Sequence, residues 1–66
     1  MTVTVNGQAR EFASGTTVAK VVAGLTSATS GVAAAVNETV IPRGAWESTA
    51  LDEGDRVEVL TAVQGG

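Results

Sequence analysis

Cysteine and histidine are both absent from this chain of 66 residues. Without cysteine there is no disulfide framework, no thiolate metal site and no sulfur nucleophile. Without histidine, Ser-His-Asp and Cys-His sets and imidazole zinc sites drop out as well. Aromatics are almost missing: Phe12 and Trp46 stand alone, which leaves no platform for stacking nucleic-acid bases. Positive charge is scarce too, four Lys plus Arg against seven Asp plus Glu, and the net charge of −3 has the wrong sign for neutralising phosphates. No apolar run is long enough to span a membrane, and the first residues lack the basic and apolar segments of a secretion signal, so a soluble cytoplasmic protein with neither nucleic acid nor membrane as partner is expected. A single domain this small buries only about 60% of the surface its unfolded chain exposes, which argues against a deep active site. A mildly acidic binding module that docks on a basic patch of another protein fits these exclusions.

What is present reads as an ordered series of elements. "TVTVNGQAREF" alternates strictly, with Val3 and Val5 on one face and Thr2 and Thr4 on the other, and then meets Asn6-Gly7, a strong hairpin signal. Ala9 and Phe12 are three apart, so placing both inward predicts a bulge in the second strand. "TTVAKVVAGL" offers Thr16 or Thr17 as N-cap, and Val18, Val21, Val22 and Leu25 follow at helical spacing, for an amphipathic helix of about ten residues. Its valines and Gly24 are poor helix formers, so the helix depends on a sheet to lie on. The polar linker Thr26 to Gly31 leads into an apolar strand Val32 to Val36, a turn at Asn37-Glu38-Thr39, and a short strand Val40-Ile41 that Pro42 confines to an edge. An irregular segment around Trp46 and a turn from Asp52 to Asp55 precede a last strand from Arg56 to Val63, with Val57 and Val59 on one face. The order is ββαββ. The apolar first and last strands belong centrally, and if they are neighbours their connection passes over the helix. The fold class is therefore α+β: a mixed sheet of four to five strands with one main helix on one face, the β-grasp or ubiquitin-like architecture. Residues 1–63 form this domain and residues 64–66 a flexible Gly-Gly tail.

Few residues carry chemistry. Asp52, Glu53 and Asp55 surround Gly54 and read as a solvated turn rather than an acid-base pair or a cation site. Trp46 reads as packed against the sheet, Lys20 as solvated, and Arg43 and Arg56 have no partner evident in sequence. The distinctive feature is the terminal Gln64-Gly65-Gly66. Gly66 offers a carboxylate of pKa about 3.3 to 3.7, ionised in the cell and a poor electrophile until activated. Two glycines place it on a thin stalk with no Cβ to obstruct a narrow active site. Leu60 and Val63, near that tail on the face away from the helix, are candidates for a small apolar partner surface.

The whole chain resembles the ThiS family, the sulfur carriers of thiamine thiazole biosynthesis. The resemblance rests on Asn6-Gly7, on Thr17-Val18, on Val36-Asn37 followed by Val40-Ile41-Pro42-Arg43 and Trp46, on Glu53-Gly54-Asp55, and on the terminal Gln64-Gly65-Gly66. The run Ala33 to Ala35 is smaller than that pattern leads one to expect. The resemblance implies a carrier rather than an enzyme. It binds no cofactor of its own. An E1-like adenylyltransferase of the ThiF type uses ATP to adenylate Gly66, with Gln64 and Gly65 recognised as the tail. The adenylate is converted to a thiocarboxylate with sulfur from a donor protein, and the sulfur passes to a thiazole synthase of the ThiG type. No metal site and no catalytic residue are implied. A molybdopterin-synthase-type sulfur carrier and a ubiquitin-like protein modifier are the alternatives, the latter disfavoured by Lys20 being the sole lysine.

Overall fold

The computed structural model describes residues 1–28 and 30–61. β1 (Thr2–Val5) and β2 (Gln8–Glu11) form an antiparallel hairpin around Asn6-Gly7, whose φ angles of 49° and 83° supply the two positive values a two-residue I′ turn requires. Its register is regular from Thr2↔Glu11 to Val5↔Gln8, so the expected bulge is absent. The reason is that Ala9 faces outward. Arg10 sits opposite Val3 and Gln8 opposite Val5, so these polar residues take the helix-side positions, and Phe12, two further on, continues that face and packs half-buried against the core.

α1 (Val18–Leu25) is shorter than expected, with eight residues. Backbone pairing fixes its start more firmly than the side-chain cap does. Val18 N–H donates to Thr49 O at 3.0 Å and Leu51 N–H to Thr16 O at 2.9 Å, whereas Thr17 Oγ1 accepts from Lys20 N–H only at 3.4 Å. Val18, Val21 and Val22 are buried, but Leu25 stays 36% exposed. It lies at the rim of a crevice shared with Arg10 and Phe12, because the edge strand below it presents polar side chains on the helix side.

β3 (Val32–Val36), β4 (Thr39–Ile41) and β5 (Arg56–Thr61) complete a five-stranded sheet in the order β2-β1-β5-β3-β4. β1 and β5 lie inside the sheet, as their apolar content predicts, and are parallel neighbours, while β3 runs antiparallel to both β4 and β5. β4 is an outer strand and ends at Pro42. A 3-10 helix, Arg43–Ser48, then turns Trp46 into the core, and its Nε1–H donates to Ile41 O at 2.8 Å. Val3, Val5, Val57 and Val59 from the two central strands meet the valines of α1, Ala34, Trp46 and Leu51 in one buried cluster. This is the β-grasp arrangement.

Two asparagine side chains hold β5, one at its first residue, Arg56, and one at Val59 in its second half. Asn6 accepts from Val59 N–H through Oδ1 at 2.9 Å and donates from Nδ2 to Val59 O at 3.2 Å. Asn37 accepts from Arg56 N–H at 3.0 Å, and its own backbone N–H donates to Arg56 O at 2.8 Å. Both have a φ of 49° at the first central position of a hairpin turn, the left-handed region that asparagine tolerates.

Candidate functional site

The acidic turn is structural. Asp55 Oδ2 accepts from Asp52 N–H at 2.8 Å, Asp55 Oδ1 accepts from Asn37 Nδ2 at 3.0 Å, and Glu53 Oε1 accepts from Thr2 N–H at 2.9 Å. These carboxylates tie the turn to β1 and to the β3–β4 hairpin, a role more specific than the solvated loop expected from sequence. Among the described residues no group of three His, Cys, Asp or Glu is placed to hold a metal. Lys20 is exposed as expected, and Arg56 is exposed as well.

Arg43 does have a partner: its guanidinium lies 5.2 Å from the Trp46 ring centroid, a cation-π contact between residues three apart on the 3-10 helix. Arg43 and Trp46, with Glu47, form one wall of an open groove of about 480 Å³ whose other wall is Ala19 and Ala23 of α1.

The candidate recognition surface is the sheet face opposite the helix. Strand alternation sends Val57 and Val59 into the core and leaves Arg56, Glu58 and Leu60 outside. Leu60 is 70% exposed, as proposed for a partner surface, and Val40, which the sequence pattern did not single out, is exposed to the same extent. Cross-strand pairing explains their meeting. Ala33 stands opposite Leu60, and Ala35 stands between Glu58 on one side and Val40 on the other. The alanines form a low floor between taller walls, a shallow trough of about 120 Å³ with Glu58 alongside. The small residues of β3, unexpected in sequence, are what make the trough. Val40 was hard to find because a three-residue strand is too short for its alternation to be read. Val63, Gln64, Gly65 and Gly66 lie outside the described residues, as does the proposed boundary between residues 63 and 64.

Comparison with known proteins extends the picture to the whole chain. Residues 3–66 match the ThiS family. The sulfur carrier protein ThiS of Escherichia coli (strain K12) is 30% identical over 66 residues, covering 100% of both chains. The crystal structure of the thiamine biosynthesis protein ThiS from Geobacter metallireducens superposes with a TM-score of 0.80 at 32% identity, again over 100% of both chains. Its solution NMR structure gives the same TM-score and identity while covering 100% of this chain and 88% of that one.

Proposed function

Because this chain belongs to the ThiS family, we propose that it is a sulfur carrier of thiamine biosynthesis whose reactive group is the carboxylate of Gly66. It acts as a substrate of partner enzymes in the cytoplasm. Residues 1–63 serve as a handle and residues 64–66 as the arm that enters their active sites. The observation that carries this reading is the match to a sulfur carrier over the full length of both chains, Gly65-Gly66 included.

An ionised carboxylate does not accept a sulfur nucleophile, since its carbonyl carbon is shielded by charge and lacks a leaving group. A ThiF-type enzyme overcomes this by guiding a Gly66 oxygen onto the α-phosphorus of ATP, which expels pyrophosphate and leaves an acyl adenylate. Sulfide-level sulfur (HS−) made available by a donor protein then attacks the same carbon, the bond to AMP breaks and AMP leaves, and the resulting thiocarboxylate delivers its sulfur to a ThiG-type thiazole synthase. Cofactor chemistry stays with the partner that uses ATP. The chain itself contributes Gln64 and Gly65 as the recognised stalk and the trough beside Leu60 as the docking surface, with Val63 as a further candidate for that surface. Exposure of Leu60 on the strand that leads to the tail supports this division of labour.

Intact-mass analysis after incubation with the cognate adenylating enzyme, ATP and a sulfur source is the direct test. One oxygen-to-sulfur exchange, mapped to the C-terminal peptide, is the expected result. A modification mapped elsewhere, or none with an enzyme shown to be active, overturns the reading.

A further inference from the structure

The parallel ladder between β1 and β5 is short, with Thr4 opposite Arg56 and Val5 opposite Val57. It is lengthened first by Asn6 N–H, which donates to Val57 O at 2.9 Å, and then by the Asn6 side chain, which takes up both the N–H and the C=O of Val59. The carboxamide stands in for one more residue of backbone after β1 has already turned away at Gly7. A single short side chain that donates and accepts at once is needed for this. Asp offers no donor when ionised, and glycine offers neither. Leu60, of the docking trough, is the next residue after the clamp, and the chain then continues through Thr61 toward Gly66.

We propose that Asn6 is a positioning residue for the reaction at Gly66: its carboxamide pins β5 at Val59 from the β1 side, while β3 pairs with the same strand as far as Thr61, and so fixes the strand from which the chain continues to Gly66. This rests on the reading of Gly66 as the reactive end. Orientation is a large part of rate in an active site, where a misplacement of about 1 Å costs on the order of a hundredfold. Without the Asn6 clamp β5 presents the same trough but is held at Val59 from the β3 side alone. The consequence belongs to kcat more than to KM.

Asn37 provides a matched control inside the molecule. It has the same φ of 49°, sits at the same turn position, and clamps the same strand at Arg56, the end remote from the arm. Asn6→Gly and Asn37→Gly each remove one clamp while keeping a residue that accepts a positive φ. Asn6→Asp is a third variant that keeps an acceptor for Val59 N–H, loses the donor and sets a carboxylate oxygen against Val59 O. The readouts are amide hydrogen exchange, thermal melting, and the kcat and KM of ATP-dependent adenylation by the cognate enzyme, taken where all variants are folded.

Asn6→Gly should raise Val59 amide exchange by about fivefold or more, whereas Asn6→Asp should raise it less. Asn6→Gly should lower kcat by about tenfold with KM nearly unchanged, and Asn6→Asp should lower it by less. Asn37→Gly should lose at least as much thermal stability and keep the wild-type kcat. An equal loss of kcat in Asn37→Gly reduces Asn6 to a stabilising residue and overturns the proposal, as does an unchanged kcat in Asn6→Gly. Unchanged Val59 exchange in Asn6→Gly removes the clamp itself, independently of any enzyme. Failure of the wild-type protein to be adenylated counts against the function of Gly66 instead, and the exchange data then still decide whether Asn6 clamps β5.

Discussion

Glu38 follows Asn37 in the β3–β4 turn with a φ of 72°, a conformation that costs a residue with a Cβ about 1–2 kcal/mol. Glycine adopts it freely but gives up more chain entropy on folding, about 0.5–1 kcal/mol. The difference favours glycine, and Glu38→Gly is expected to stabilise the protein by up to about 1 kcal/mol, measured by urea denaturation. A loss of stability would mean that the Glu38 side chain makes a compensating contact. The opposite logic applies at Gly65. Side chains buried among the described residues run from Val3 to Val59, and Gly65 lies outside the described residues. Gly65→Val should change stability by no more than about 0.5 kcal/mol. Yet it adds a β-branched side chain to the proposed stalk, and ATP–pyrophosphate exchange by the adenylating enzyme should fall about tenfold or more, about 1.4 kcal/mol in the transition state. Exchange at the wild-type rate would count against a channel shaped for bare glycines.

At the scale of single elements, competing contributions can be ranked. The start of α1 is held by two backbone bonds to the segment at Thr49 and Leu51, both shorter than the 3.4 Å cap from Thr17. Thr17→Ala should therefore sit at the low end of cap deletions, about 0.5 kcal/mol. A cost near 2 kcal/mol in thermal or chemical melts would show that the hydroxyl matters more than its geometry indicates. β5 carries both structure and recognition on alternating residues, Val57 and Val59 inward and Glu58 and Leu60 outward. Leu60→Asp should leave the domain folded and weaken binding to the adenylating enzyme by about tenfold, the scale of an exposed anchor at the centre of an interface. Calorimetric titration beside a circular dichroism melt distinguishes this from unfolding. Wild-type affinity would remove Leu60 from the docking surface.

The molecule as a whole is acidic, with a net charge of −3, and Glu58 borders the trough. A partner that receives it should present positive charge around an apolar centre, and association should then be steered electrostatically. The association rate, measured by stopped-flow, is expected to fall as ionic strength rises toward 0.15 M, where the screening length is about 8 Å. A rate independent of salt would leave the apolar trough as the sole basis for recognition.

Much of this was legible along the chain because it depends on neighbours in sequence. The alternation of Val3 and Val5, the Asn6-Gly7 turn, the valine stripe of α1 and the edge-setting Pro42 act through local backbone sterics and side-chain period, and they determined the element order and the β-grasp class. Lack of cysteine and histidine likewise determined that reactive groups come from partners if Gly66 is the acceptor. The Ala9–Phe12 spacing misled because face assignment needs the partner strand, and the ladder gave Arg10 rather than Ala9 the inward position. Only the tertiary structure decided that Ala33, Val40 and Leu60 share one trough, since three strands must pair in a given register to bring them together. The same holds for the Asn6 clamp, whose partner Val59 is 53 residues away. Hydrogen bonds between such distant groups are set by strand order and register, which depend on how the whole chain packs its core.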